Sequence, residues 1–391
     1  MIPSARISAA VDILDLILDG AAAERVLTSW ARNNRYAGSG DRAAIRDHVF
    51  SALRCRRSFG LIGGSDTGRG LMVGALRSQG LDPAEYFTGE RFAPEPLSKE
   101  ELHVGDLSAA PRAVQLDCPD WLMERFESSI GDETDAVLEA LRHRAPVYLR
   151  VNLRKTDVKA AQAMLEEDGV ETQAVDLVRS ALEVTKNPRR VSQSEAYSDG
   201  VVELQDAASQ AVVQALPLRD GMRVMDYCAG GGGKTLAMAG LVRATFHAHD
   251  IDFDRMSDMP ARTARAGISV QRLKQDALER DYDLVLVDAP CSGSGTWRRS
   301  PEAKWQLNAE RLTELTGLQA GILDQATDIV AEDGTLAYAT CSVFRDENDA
   351  QIQAFLARNP GWSCDNTQQF LPGALGDGFY LALLTRVRPN S

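Results

Sequence analysis

At 391 residues the chain is too long for one average domain, and its 44% hydrophobic and 25% charged residues are ordinary for a soluble globular protein. No apolar run approaches the roughly 20 residues that a membrane span needs. Asp12, Asp15 and Asp19 break the apolar stretch near the N-terminus, so it reads as an amphipathic helix and the protein is expected in the cytoplasm. A net charge of −13 excludes a molecule coated in positive charge to hold nucleic acid, but not local basic patches.

Val11, Leu14, Ile17 and Leu18 recur at helical spacing, and a second helical run over 41–53 follows the turn Gly38-Ser39-Gly40, with Asp41 placed to cap it. Residues 1–60 hold nine Lys+Arg against six Asp+Glu. Residues 60–80 continue with glycine breaks and a short helix at 71–76. Pro94, Pro96 and Pro111 among charged residues make 88–112 an irregular connector. Helical patterning resumes at Asp120 and runs to about Leu141. Val147 to Asn152 alternates like a strand; a helix is expected at 157–167 and short strands near 181–185 and 201–204. Asp206 to Leu216 reads as a helix. From 221 the pattern is repeated βαβ, with strands at 222–227, 244–249, 268–273, 283–288 and 334–340, a long helix near 308–331, and a final antiparallel strand through 378–386. The expected architecture is therefore α/β: a Rossmann-type domain at 216–391, preceded by an all-α domain at 1–140 and a small α+β unit at 141–215.

Chemistry concentrates in the last domain. The run Cys228-Ala229-Gly230-Gly231-Gly232-Gly233-Lys234 follows a strand and opens a helix, where bare backbone can approach a ligand closely. Asp250 ends the next strand, 20 residues beyond Gly230 (250 − 230), an offset from which a carboxylate can accept from ribose hydroxyls. Asp276, after the third strand, could accept from an adenine amino group. The loop lacks the first glycine of a phosphate-binding NTPase motif. Dehydrogenases have no use for Asp288-Ala289-Pro290-Cys291 at the fourth strand, so the cofactor expected is S-adenosylmethionine and not NAD. A second cysteine, Cys341, ends the fifth strand. Carbon 5 of cytosine becomes nucleophilic only after a thiolate adds to carbon 6, and a base must then remove the carbon-5 proton. Cys341, Cys291 and Asp288 supply candidates for nucleophile, base and a carboxyl near N3, and on spacing alone either cysteine could be the nucleophile. Neither the six cysteines nor the five histidines form a metal-binding pattern, so no metal is expected, and His247 and His249 read as structural. Arg142, Arg144, Arg150, Arg154 and Lys155 form a basic patch with no acidic residue between 140 and 156, and Arg298, Arg299 and Lys304 follow the Pro-Cys loop; both groups are candidates for RNA phosphates.

Arg150-Val151-Asn152, Glu203 through Gln210, the glycine loop, Asp250-Ile251-Asp252, Asp288 through Gly295, Arg298 through Trp305, and Tyr338-Ala339-Thr340-Cys341-Ser342 with Glu347-Asn348 together resemble the Sun/RsmB-type RNA (cytosine-5) methyltransferases, over roughly 145–386. The N-terminal helices resemble the NusB-like RNA-binding domain of RsmB-type members, and the α+β unit looks RRM-like. The resemblance implies that Cys341 is the nucleophile, that Cys291 assists release, and that the substrate is a cytidine in small-subunit ribosomal RNA; a monomer is expected. A tRNA substrate, or a non-catalytic RNA-binding assembly factor, are the other readings. One departure stands out: Gly231 occupies the place of the family's loop proline, which makes the loop more flexible.

Overall fold

The computed structural model describes residues 1–387, and the chain divides into two compact units: residues 1–144 with 297–306, and residues 145–296 with 307 onward.

The first unit is helical. It contains α1 (Pro3–Leu18), α2 (Ala23–Asn33), α3 (Ser39–Arg54), α4 (Arg56–Gly63), α5 (Gly68–Ser78), α6 (Arg112–Gln115), α7 (Asp120–Ile130) and α8 (Thr134–Arg142). Ile7, Ile13, Leu14, Ile45, Val49, Leu53 and Leu71 interleave in its core, each 0–1% exposed. Asp41 differs from expectation. The cap position of α3 is Gly38, and Asp41, three residues inside, accepts from Gly38 N–H at 3.2 Å and from the chain's amino terminus at 3.0 Å. The helix expected over 120–141 is two, broken at Gly131, whose φ of +54° no helix continues through.

The second unit carries two sheets. In the smaller, β1 (Val147–Val151), α9 (Val158–Glu167), β2 (Glu171–Ala174), β3 (Ala181–Lys186), the short α10 (Glu195–Ser198) and β4 (Val202–Leu204) give an antiparallel order β2-β3-β1-β4, a split βαβ arrangement. Leu149 and Val151 on one face of β1 pack with Ala161 and Leu165 of α9; Tyr148, on the other face, packs with Ala207 and Ala211 of α11 (Ala207–Gln214). An RRM-type unit would present bases to that second face. Here α11 covers it.

The larger sheet is assembled from β5 (Arg223–Asp226), α12 (Gly233–Leu241), β6 (Thr245–His249), α13 (Met259–Ala266), β7 (Gln271–Leu273), β8 (Tyr282–Asp288), α14 (Glu302–Gln306, within the helical unit), α15 (Ala309–Ala326), β9 (Val330–Thr340), α16 (Asp349–Arg358), β10 (Trp362–Phe370) and β11 (Phe379–Arg386). The order is β10-β11-β9-β8-β5-β6-β7, with β5 through β9 parallel and the last two strands antiparallel. Leu284, Val285, Leu286 and Val287 of β8 are 0% exposed, as expected of a strand covered on both faces. Strand order reverses between β5 and β8, which opens a crevice at their carboxyl ends. Two strands were not expected, β2 and β10. Both are sheet edges of polar sequence, and β10 also carries a register shift between Cys364 and Asn366, so neither shows an apolar alternation.

Candidate active site

The glycine loop leaves β5 at Asp226 and enters α12 at Gly233. Gly230 and Gly232 have φ of +49° and +79°, and a Cβ on Gly232 would stand 2.7 Å from Met259 Cε. Side chains and backbone from outside pin the loop. Ala229 N–H donates to His249 O at 2.8 Å, Gly230 N–H to Asp250 Oδ2 at 2.9 Å, and Arg262 to Gly231 O. Arg150 donates to Gly233 O at 2.8 Å and to Gln205. The loop that lacks a proline is thus held from three directions.

Asp250 and Asp276 line one 370 Å3 cavity with Ile251, Phe253, His249 and Lys274. Ile251 is 85% exposed there, an apolar wall with a ring beside it and carboxylates at its ends. Asp250 also accepts from Asp252 N–H at 3.0 Å and from Arg255 at 3.1 Å, so a ribose would compete with the Arg255 side chain. Cys228 is half-buried beside the loop, and burial pushes its thiol well above the ordinary range.

Lys234 turns to the carboxyl ends of the strands. Its Nζ donates to Asp288 Oδ2 at 2.7 Å; burial pulls the ammonium down, but Asp288 outweighs burial and the net shift is upward. Asp226 lies behind it, accepting from Thr235 at 2.6 Å, with its other oxygen unpartnered, and burial raises its carboxyl to about 7.

Cys291 Sγ and Cys341 Sγ are 3.4 Å apart at the ends of neighbouring parallel strands β8 and β9. The contact with Cys291 lowers Cys341 against its burial, with Lys234 adding to the effect, and the same contact with burial raises Cys291 well above the usual thiol value. Either sulfur can be the donor in this contact.

Glu347 supports both thiol loops. Fully buried, it accepts from Ser292 N–H at 2.8 Å, from the Ser292 and Ser342 hydroxyls, and from Gln319 of α15 at 3.1 Å. One carboxylate thus joins the residues that follow Cys291 and Cys341. The sequence marked Glu347-Asn348 only as part of a motif. The serine after each cysteine was the available signal that an acceptor lay between the loops.

The basic residues are placed differently from expectation. Arg150 is 7% exposed, Arg298 3% and Lys304 1%, so none of the three is a surface contact for phosphate. Arg150 braces the glycine loop, Arg298 offers its carbonyl to Arg54 at 2.7 Å, and Lys304 donates to Arg54 O at 3.3 Å. Arg142 pairs with buried Asp117 at 2.9 Å and with Glu139 at 2.6 Å; Arg144 pairs with Asp47 at 3.1 Å. Arg154 donates to Ala239 O at 3.2 Å and Lys155 to Arg265 O at 2.7 Å, both near helix carboxyl ends, where cations are favoured. Arg299 is exposed and engaged in the structure. His247 meets the Tyr282 hydroxyl at 2.6 Å and His249 the Leu273 carbonyl at 3.0 Å, which accounts for both rings structurally.

Strand order, glycine loop and acidic strand ends define a Rossmann-type methyltransferase fold. Residues 213–385 match the family described as 16S rRNA methyltransferase RsmB/F, and residues 118–192 match the ferredoxin-like domain of RsmF/B-like methyltransferases. The ribosomal RNA small subunit methyltransferase B of Cronobacter sakazakii is 35% identical over 284 residues, covering 68% of this chain and 66% of the relative; that of Escherichia coli O6:K15:H31 is 34% identical with the same coverage. The aligned part is thus just under two thirds of these relatives' length. The crystal structure of PH0851 is similar over 99% of both chains, with a TM-score of 0.77 and 25% identity. The structure of NSun6 from Pyrococcus horikoshii with SFG, 17% identical with a TM-score of 0.62 over 69% of this chain and 99% of that one, shares the fold. The chain belongs to the RsmB/F methyltransferase family.

Proposed function

We propose that the protein methylates carbon 5 of a cytidine in RNA, with a site in small-subunit ribosomal RNA as the substrate, through a covalent bond between Cys341 and carbon 6. The observation that carries this reading is the thiol pair, 3.4 Å apart, beside the Lys234–Asp288 ion pair. An amino-group methyltransferase has no use for two thiols, whereas carbon-5 chemistry needs one to add and one to help the other leave.

The residues fit S-adenosylmethionine. Asp250 and Asp276 would hold ribose and adenine in the cavity walled by Ile251 and Phe253, and the Gly230–Gly233 backbone would let the ligand approach closely. When bound, S-adenosylmethionine supplies an electrophilic methyl group. Cys341 Sγ forms the bond to carbon 6, and the electron pair displaced from the 5,6 double bond makes carbon 5 nucleophilic. Asp288 keeps Oδ1 for the N3 side of the ring while Lys234 holds Oδ2. After methylation Cys291, as its thiolate, takes the carbon-5 proton, and the carbon–sulfur bond to Cys341 breaks as the double bond re-forms. Cys341 adds as its thiolate, and Cys291 loses its own proton to solvent once Cys341 is bonded to carbon 6, because the thioether sulfur cannot accept it. The target base must leave its stack to reach both thiols.

The test is a methyl-transfer assay with radiolabelled S-adenosylmethionine, protein-free small-subunit rRNA and, in parallel, tRNA, each digested to nucleosides. Label in 5-methylcytidine from rRNA is the expected result. Label from tRNA alone would overturn the substrate, and label in any other nucleoside would overturn the chemistry.

A further inference from the structure

The basic residues expected to meet RNA are largely engaged in holding the protein together, which raises the question of where a phosphate backbone can dock. We propose that it docks in a groove of the helical unit lined by Arg32, Arg35, Arg42 and Arg46. This rests on the reading of RNA as substrate.

The groove offers about 570 Å3, and no acidic residue among the described residues lines it. Arg32 lies at the end of α2, Arg35 in the turn that follows, and Arg42 and Arg46 lie one helical turn apart on α3, so two elements converge on one concave surface. All four side chains belong to exposed residues. Arg32 and Arg35 have no hydrogen-bond or ion-pair partner among the described residues. Arg42 uses only Nε, donating to Ala37 O at 2.9 Å, which leaves both terminal nitrogens. Arg46 is satisfied by Glu24 and rests on the Phe50 ring at 4.8 Å, so it contributes less. The nearby Asp41 is committed to the amino terminus and Arg6.

Three guanidinium groups with uncommitted donors match the forked geometry of phosphate oxygens better than ammonium groups would. Aromatic groups accompany them. Trp30 lines the groove, and Tyr36, next to Arg35, is 73% exposed. Arginine with aromatic surface suits a single strand or loop, whose bases can stack while its backbone is held. An acidic protein segment would answer the charge but not the rings.

The experiment compares wild-type protein with the double variant Arg32→Ala/Arg35→Ala and with Arg32→Lys/Arg35→Lys. Binding of protein-free small-subunit rRNA is measured across a salt series, and methylation kinetics at saturating S-adenosylmethionine. Both positions are exposed, so unfolding is not expected, and a melting curve checks it. The alanine variant should bind about tenfold more weakly, with the slope of log affinity against log salt shallower by about 1 to 2. Its KM for RNA should rise while kcat at saturating RNA stays within about twofold, and the lysine variant should recover most of the affinity. Unchanged affinity and slope in the alanine variant, with wild type methylating rRNA, would overturn the groove and leave the proposed function standing. A weakened affinity with an unchanged salt slope would overturn it too. Wild type that binds rRNA but transfers no methyl to cytidine would instead overturn the proposed function, and the groove's salt slope would still be read from binding alone.

Discussion

At the scale of single residues the proposed roles of the two thiols, which spacing left open, are testable one variant at a time. The contact between the sulfurs, 3.4 Å apart, lowers Cys341 and raises Cys291. Cys341→Ala should abolish turnover and leave no covalent complex. Cys291→Ala should accumulate an RNA–protein adduct that survives a denaturing gel, and a normally turning over variant without adduct would remove Cys291 from release. Asp226 makes a second prediction. Burial raises its carboxyl to about 7, above the 3.8 of a solvated aspartate, so the native state holds the proton more tightly than the unfolded chain does. The stability this contributes is fully present below about pH 4, declines by up to about 1.4 kcal/mol per pH unit, and is gone above about pH 7. Denaturant titrations at a series of pH values should show that decline in the wild type and a flatter profile in Asp226→Asn. Parallel profiles would mean that Lys234 keeps Asp226 ionised.

At the scale of elements the glycine loop shows what a motif does and does not say. The glycines were legible as a close-approach turn, and positive φ at Gly230 and Gly232 is the backbone reason for them. The bracing by Arg150, Arg262 and the His249 carbonyl was not legible, because those partners come from three other elements. Gly232→Ala combines a strained φ with a Cβ 2.7 Å from the end of a flexible methionine. It should weaken binding of S-adenosylmethionine, measured by calorimetry, by about tenfold, near 1.4 kcal/mol, with a smaller loss of melting temperature. Unchanged affinity would place the cofactor away from this turn. Edge strands β2 and β10 escaped the sequence reading for a related reason. Their pairing is backbone hydrogen bonding to a neighbour, which polar side chains neither require nor reveal.

At the scale of the whole molecule the surprising segment is 297–306. It follows the Pro-Cys loop in sequence yet belongs to the helical unit, where Trp297 packs edge-on to Phe126 at 6.1 Å and Trp305 donates to Leu53 O at 2.7 Å. Lys304 is buried there; burial lowers its ammonium below the usual lysine value, and the charge of the buried Asp117 only partly opposes this. Removing one member of a buried charge set costs about 3 to 5 kcal/mol. Lys304→Ala should therefore lower the melting temperature by calorimetry, without changing the salt slope of RNA binding; a stable variant with a shallower slope would return Lys304 to the RNA surface. By itself the sequence determined the βαβ order, the glycine turn, the acidic strand ends and the two cysteines, because each follows from local periodicity and from side-chain types whose chemistry is intrinsic. Only the tertiary structure decided which charges face water. An arginine or lysine reads the same in a sequence whether it meets a phosphate, a carboxylate or a helix carbonyl. Burial, salt bridges and the convergence of distant elements assigned Arg150, Arg298 and Lys304 to the interior and left Arg32 and Arg35 without partners among the described residues.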